Sequence, residues 1–253
     1  MKICSLSSGS KGNSLFIETQ DTRILVDAGL SALQVQTRLE SIRIDPKTID
    51  GIVLTHAHRD HVIGADAFSR QFGVPIYGHP DTLDELTYLF KSTKAIIPWT
   101  GVFSIKDLLL KPFRVPHDSH PTVGYRISSE RKTIAVCIDL GTTTREVEEN
   151  ITNVDCLLIE SNHDPEMLIN GPYPWELKER IASHVGHLSN HDTGALIKKI
   201  INGRMEKIFL AHLSDENNTP DLAKATILDY IGYQAEEFID VIEQKKVSDI
   251  FDF

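Results

Sequence analysis

Cysteine is scarce in this chain: Cys4, Cys137 and Cys156 are the only three among 253 residues, and they lie far apart. An odd, widely spaced set makes neither a disulfide framework nor the paired thiolates of a zinc site. Each sits in an apolar, strand-like segment and is expected to be a small buried hydrophobe in a reducing compartment. Long apolar runs are also missing, so no segment reaches the length of a membrane span. The start, Met1-Lys2-Ile3-Cys4-Ser5-Leu6, turns polar too soon for the apolar core of a secretory signal. A cytoplasmic protein without a membrane partner is expected. Low-complexity tracts and solenoid-period repeats are absent, which leaves an ordinary globular composition, 41% hydrophobic and 25% charged. Positive charge is in deficit, and a net charge of −10 argues against tight non-specific binding to nucleic acid. The deficit is uneven. From Asp215 onward ten acidic residues face only Lys224, Lys245 and Lys246, which leaves −7 there and −3 on the rest. Two divalent cations would bring that body close to neutral, so polyanionic substrates stay open.

What the chain does have is histidine concentrated in one place. His56-Ala-His58-Arg-Asp60-His61 puts three imidazoles and a carboxylate within six residues. That is poor core chemistry, and it is the donor set that holds zinc, iron or manganese. His56 and His58 share one face of an extended segment, where side chains repeat every second residue. Asp60 and His61 point elsewhere, as a chain turning into a helix directs them. One segment can thus serve two ions.

The order of elements is that of an α/β protein. Leu15–Glu18 and Arg23–Asp27 read as a hairpin, Leu30–Ile42 as a helix, Gly51–Thr55 as a buried strand, Asp60–Phe72 as a helix ended by Gly73, and Val74–Tyr77 as a strand. Leu108–Val115, Thr122–Ile127, Thr133–Ile138, Val154–Ile159 and Lys207–Leu210 read as further strands, with helices over His191–Ile201 and Pro220–Tyr230. Two mixed halves, strands inside and helices outside, predict a four-layer αββα sandwich. No linker divides it, so residues 1–253 are expected to form a single domain, with an acidic helical segment over about 219–253. Metal-capable residues recur at strand ends, where loops vary without harming a core. His117, Asp139 and His212 stand there, and they complete the count. His56, His58 and His117 are assigned to one ion and Asp60, His61 and His212 to the other, with Asp139 bridging.

His56-x-His58-x-Asp60-His61 followed by His117, Asp139 and His212 resembles the metallo-β-lactamase superfamily. The likeness extends to Ser8-Gly9-Ser10-Lys11-Gly12-Asn13-Ser14, Glu160-Ser161-Asn162-His163-Asp164, Gly186-His187-Leu188-Ser189-Asn190 and Ala211-His212-Leu213-Ser214. These resemble its YycJ/WalJ branch, close to the RNase Z-like phosphodiesterases, and the match runs from about Ser5 to Pro220. The resemblance implies a metallo-β-lactamase-like fold, two divalent ions (Zn, Mn or Fe) and a 5′-to-3′ exonuclease acting on DNA through a metal-bridging hydroxide. It also implies that His187, held by Glu160, protonates the leaving oxygen, while Asp60 orients the hydroxide. Only 21 residues separate His117 from Asp139, which leaves no room for the arm with which RNase Z enzymes grip tRNA. The third-ligand loop reads His117-Asp118-Ser119-His120-Pro121, a departure from the His-Asp-Ala of many relatives. His117, nearer the strand end, is favoured as the ligand, and His120 stands as the alternative.

Physically, a carboxylate beside an imidazole raises its pKa and fixes its tautomer, so a proton is on hand near neutrality. Asn13, Asn162, His163 and Asn190 are candidate supports for ligands or phosphate, and Lys11 a candidate phosphate contact. The Ser8–Ser14 loop lacks the Gly-Lys-Ser/Thr of a phosphate loop and is read as lining the metal site. His79, His184 and His191 are read as surface or capping residues, and Phe113, Tyr173 and Trp175, beside prolines, as packing. The competing function is a small-molecule hydrolase on the same dinuclear site, taking a thioester, a lactam or a cyclic phosphodiester. A di-iron redox protein would need extra carboxylates and a flavin domain, and a metal-dependent scaffold would not need a complete ligand set.

Overall fold

Runs such as Phe16-Ile17, Ile24-Leu25-Val26 and Leu157-Leu158-Ile159 are apolar on both strand faces, which is the mark of strands covered from both sides. The computed structural model describes residues 1–90, 93 and 95–253. The first sheet holds β1 (Lys2–Ser7), β2 (Ser14–Glu18), β3 (Arg23–Val26), β4 (Gly51–Val53), β5 (Ile76–Gly78) and β6 (Ile96–Pro98). The second holds β7 (Phe103–Ile105), β8 (Leu108–Arg114), β9 (Val123–Ser128), β10 (Thr133–Cys137), β11 (Cys156–Glu160), β12 (Lys207–Ala211) and β13 (Ile239–Val241). A last strand, β14 (Phe251–Asp252), pairs antiparallel with β1, giving the orders β14-β1-β2-β3-β4-β5-β6 and β13-β12-β11-β10-β9-β8-β7. β3 through β6 run parallel, as do β10 through β13.

Alternation sorts each strand's residues between two layers. Ile17, Ile24, Val26, Tyr125, Ile134, Val136 and Leu158 pack between the sheets. Phe16, Leu25 and Ile52 face the helices Ala32–Ser41 and Ala65–Phe72, while Ala135, Leu157 and Leu210 face the helices of the second half. The four layers are thus the expected αββα sandwich. Cys4, Cys137 and Cys156 are free and buried, and burial raises the thiol pKa of each. No helix among the described residues is long and apolar enough to cross a membrane.

Two expectations need correction. The helix predicted over Asp60–Phe72 is two helices, Arg59–Val62 and Ala65–Phe72. Gly64 separates them because the loop after β3 crowds it: a Cβ there would lie 2.0 Å from Leu30 O, and its N–H donates to Ala28 O. The acidic segment 219–253 is helical only in its first half. Thr219 caps a helix over Pro220–Ile231, and a short 3-10 turn, Tyr233–Phe238, follows Gly232, whose φ of 93° stops the helix. The chain then returns as β13 in one sheet and β14 in the other. It is pinned by Ser7 Oγ donating to Gln244 O and by the N-terminal ammonium donating to Phe253 O. The Ile239-Asp240-Val241 alternation, buried at Ile239 and exposed at Asp240, is what makes an edge strand there.

Candidate metal centre

Strand ends of both sheets meet at one edge of the sandwich. β4 delivers Thr55 and His56, and the extended chain carries on to His58, which precedes the helix bearing Asp60 and His61. Asp27 follows β3, Asp139 lies two residues beyond β10, and His212 follows β12, with φ of 62°, 56° and 56°. A non-glycine residue in that region costs about 1 kcal/mol or more and persists only where its surroundings enforce it. Gly29 lets the loops close over the motif, since a Cβ there would lie 1.6 Å from Asp60 O.

Four of the candidate imidazoles share one pattern, with Nδ1 engaged and Nε2 left for the centre. His56 Nδ1 meets Thr55 Oγ1 at 3.0 Å, His61 Nδ1 meets Asp27 Oδ2 at 2.7 Å, His117 Nδ1 meets Gly186 O at 3.1 Å and His212 Nδ1 meets Glu160 Oε1 at 2.9 Å. Such partners fix the tautomer and ring direction of a metal-ligating histidine. The ligand atoms of His56, His58 and His117 lie within 4.8 Å of one another. So do those of Asp60, His61 and His212, and those of His56, His61 and Asp139. His56 Nε2, His212 Nε2 and Asp139 Oδ2 are buried without a hydrogen-bond partner, although Asp139 Oδ2 is 2.9 Å from His61 Nε2. Each unpaired buried atom costs about 1–3 kcal/mol, and cations among them would supply what the protein does not. The residues therefore fit divalent ions. Burial and the nearby His61 hold the His56 pKa well below its ordinary value, which leaves a neutral ring with a free lone pair. Burial alone would lower that of His61, but the Asp139 and Asp27 carboxylates outweigh it and raise it well above. Asp139 is depressed against the opposing effect of burial by His212 and His61.

Glu160 is fully buried at the end of β11 and works on two histidines at once. Oε1 meets His187 Nδ1 at 2.7 Å as well as His212 Nδ1, while Oε2 accepts from Leu140 N at 2.6 Å. Burial alone would raise the Glu160 pKa, and His187 pulls it down. Burial likewise would lower that of His187, and Glu160 lifts it to about 9. His187 lines a cleft of about 230 Å³ together with Asn162 and His212.

The supporting residues divide. Asn13 Nδ2 lies 2.9 Å from His61 Nε2 and 3.4 Å from Asp60 Oδ2, and Asn162 Nδ2 donates to His212 O at 2.8 Å. Asn190 lies behind the site, its amide shared with Ser161 and Asn218, and its full burial keeps it from contacting phosphate. His163 is buried there too, and burial pushes its pKa down to about 4, which makes it a poor anion contact. Lys11 is exposed and paired with Asp215 at 2.6 Å. His120 is exposed and outside the cluster, whereas His117 is inside it. His79 caps a helix through Asp81 N. Phe113 packs in the core, but Trp175 is 61% exposed and Tyr173 lines the cleft, so packing does not describe those two.

Four residues escaped the sequence reading. Asp27 and Thr55 orient His61 and His56, and Asn218 bolts the ends of β11 and the helix Asn190–Ile200 together through Ser161 O and Asn190 Oδ1. Asp118 Oδ1 lies 3.3 Å from both His58 Nε2 and His117 Nε2. A signal for Asp27 was present, because it follows an apolar strand much as Asp139 does.

A family model described as a beta-lactamase superfamily domain matches residues 22–212. The chain is 36% identical over 233 residues to exodeoxyribonuclease WalJ of Streptococcus pneumoniae serotype 2 (strain D39 / NCTC 7466), covering 90% of this chain and 87% of that protein. It is 32% identical over 226 residues to exodeoxyribonuclease YycJ of Bacillus anthracis, covering 88% and 86%. Among solved structures, the short form of human tRNase Z superposes with a TM-score of 0.69 at 16% identity, covering 98% of this chain and 99% of that one. Zn(2+)-bound PqqB from Methylobacterium extorquens gives a TM-score of 0.73 at 15% identity over the whole of both chains. These last two are likenesses of fold.

Proposed function

Because the chain belongs to the metallo-β-lactamase superfamily, we propose that it is a metal-dependent exodeoxyribonuclease that degrades DNA in the 5′-to-3′ direction. The observation that carries this reading is its 36% identity, over 90% of its length, to a protein named an exodeoxyribonuclease. His56, His58 and His117 would hold one divalent ion, Asp60, His61 and His212 a second, and Asp139 would span both. Imidazole and carboxylate donors suit Zn, Mn and Fe alike. Bound there, two such ions supply Lewis acidity toward the phosphoryl oxygens and lower the pKa of a bound water. Asp60, which is partly exposed, would orient that water. His187 donates its Nε2 proton to the leaving oxygen, and Glu160 keeps the ring charged and aimed while holding His212 in the opposite role, as an unprotonated Nε2 donor. That division separates phosphodiester from thioester hydrolysis, because a thiolate leaves without a proton at neutral pH while a sugar alkoxide does not. Three free buried cysteines fit a reducing compartment, from which we infer a cytoplasmic location.

The test is degradation of 3′-labelled duplex DNA by the purified protein with Mn²⁺. Progressive shortening from the 5′ end is expected, with His187→Ala losing about 10²–10⁴ in rate while keeping both ions. A metal-loaded protein that cleaves neither polynucleotides nor a chromogenic phosphodiester would rule the reading out.

A further inference from the structure

Arg180 is the only lysine or arginine among the described residues lining the cleft, and the chemistry above gives it nothing to do. It stands in the last turn of the helix Trp175–Ile181, whose end is tied to the site by backbone contacts. His187 N–H donates to Ile181 O, and Gly186, whose carbonyl holds His117, has no room for a Cβ beside Arg180 O. The guanidinium grips Asp118 through one oxygen, with Nε donating to Oδ2 at 2.7 Å and Nη2 contacting the same atom. The other oxygen, Oδ1, is the one 3.3 Å from both His58 Nε2 and His117 Nε2. A single anion thus bridges the first ion's ligands and a guanidinium, one oxygen to each side. The two non-bridging oxygens of a phosphodiester offer the same charge in the same arrangement, and arginine recognises carboxylate and phosphate by the same fork. The Arg180 side chain is 57% exposed, and an ion pair open to solvent adds little stability, so one anion can replace the other.

We propose that Arg180 binds the scissile phosphate, and that Asp118 occupies that phosphate's place in the substrate-free protein. The inference rests on the phosphodiesterase reading of the site. Arg180 is a substrate-binding residue, and Asp118 is a positioning residue that keeps the guanidinium beside the first ion's ligands until substrate displaces it.

Two probes test it. Bis(p-nitrophenyl) phosphate carries a single phosphate, so it reports the scissile position alone. A fluorescein-labelled duplex with the full-length protein in EDTA reports binding by anisotropy without turnover. Arg180→Ala is expected to lower kcat/KM for bis(p-nitrophenyl) phosphate by about tenfold to a hundredfold, and to reduce the slope of log Kd against log salt by about one. Arg180→Lys should keep that slope while recovering only part of kcat/KM. Asp118→Asn should tighten metal-free binding of the duplex severalfold, because it removes the competing anion. A merely structural ion pair predicts the opposite sign, or no change, for that variant. With wild type active, an Arg180→Ala enzyme that keeps both kcat/KM and the salt slope overturns the assignment, and weaker or unchanged binding by Asp118→Asn overturns the displaced-anion half. If wild type hydrolyses no phosphodiester and binds no duplex, the phosphodiesterase reading fails and takes this inference with it.

Discussion

Asp27→Asn isolates how the protein sets the tautomer of one ligand. In the native site the buried Asp27 carboxylate accepts from Thr55 N at 2.8 Å and Thr55 Oγ1 at 2.7 Å, and holds His61 Nδ1 at 2.7 Å. Asparagine tolerates the φ of 62° as well as aspartate does, so the backbone is not the variable. Its Oδ1 can still accept from Thr55 N, but its amide now faces His61 Nδ1 as a donor. The imidazole proton is driven to Nε2, the atom needed for the second ion. Loss of such an orienting partner lowers metal affinity by about 10–100-fold, roughly 1.4–2.7 kcal/mol for one ion. Calorimetric titration with Zn²⁺ should show one ion bound as in wild type and the second weakened by that factor. Thr55→Val, which leaves the His61–Asp27 contact in place, should weaken the second ion much less. Two ions bound by Asp27→Asn with unchanged affinity would refute tautomer control through Asp27.

The shared carboxylate makes a contrasting case. Glu160→Gln should lose turnover by about 10²–10⁴ and also weaken one ion, because Oε1 serves His187 and His212 together. His187→Ala should lose turnover alone, and activity assays with metal analysis separate the two. A third prediction concerns stability. Asp155 accepts from Thr133 N and from Arg204, and although burial opposes it, these bonds lower its pKa. Asp155→Asn should cost about 1–2 kcal/mol at pH 7. A depressed carboxylate pKa stabilises the fold above the unfolded value near 3.9 and ceases to do so as pH falls through the folded value. The gap between wild type and variant in urea denaturation should therefore close in strongly acidic buffer, and a gap constant down to that pH would contradict the linkage.

The layers were legible because strands such as Ile24–Val26 and Cys156–Glu160 are buried on both faces and read as unbroken apolar runs. β13 and β14 were not, since three and two residues are too short to carry a period. The break at Gly64 lies in a tertiary contact with Leu30 O and leaves no local trace. The candidate ligands stood out as a cluster of one chemical type at strand ends. Their supports did not, because a lone aspartate after a strand, such as Asp27, looks like any turn residue. The left-handed backbone at Asp27, Asp139 and His212 is equally silent, as glycine stands at none of them. The pairing of Asp118 with His58 and Arg180 joins segments far apart in the chain, and only the folded structure brings them together.

The most direct measurement is anomalous diffraction from crystals grown with Mn²⁺. Two peaks roughly 3.5–4 Å apart are expected, one bonded to His56, His58 and His117, the other to Asp60, His61 and His212, with Asp139 reaching both. A single peak, or ions bound elsewhere with His56 Nε2 and His212 Nε2 still unpaired, would contradict it.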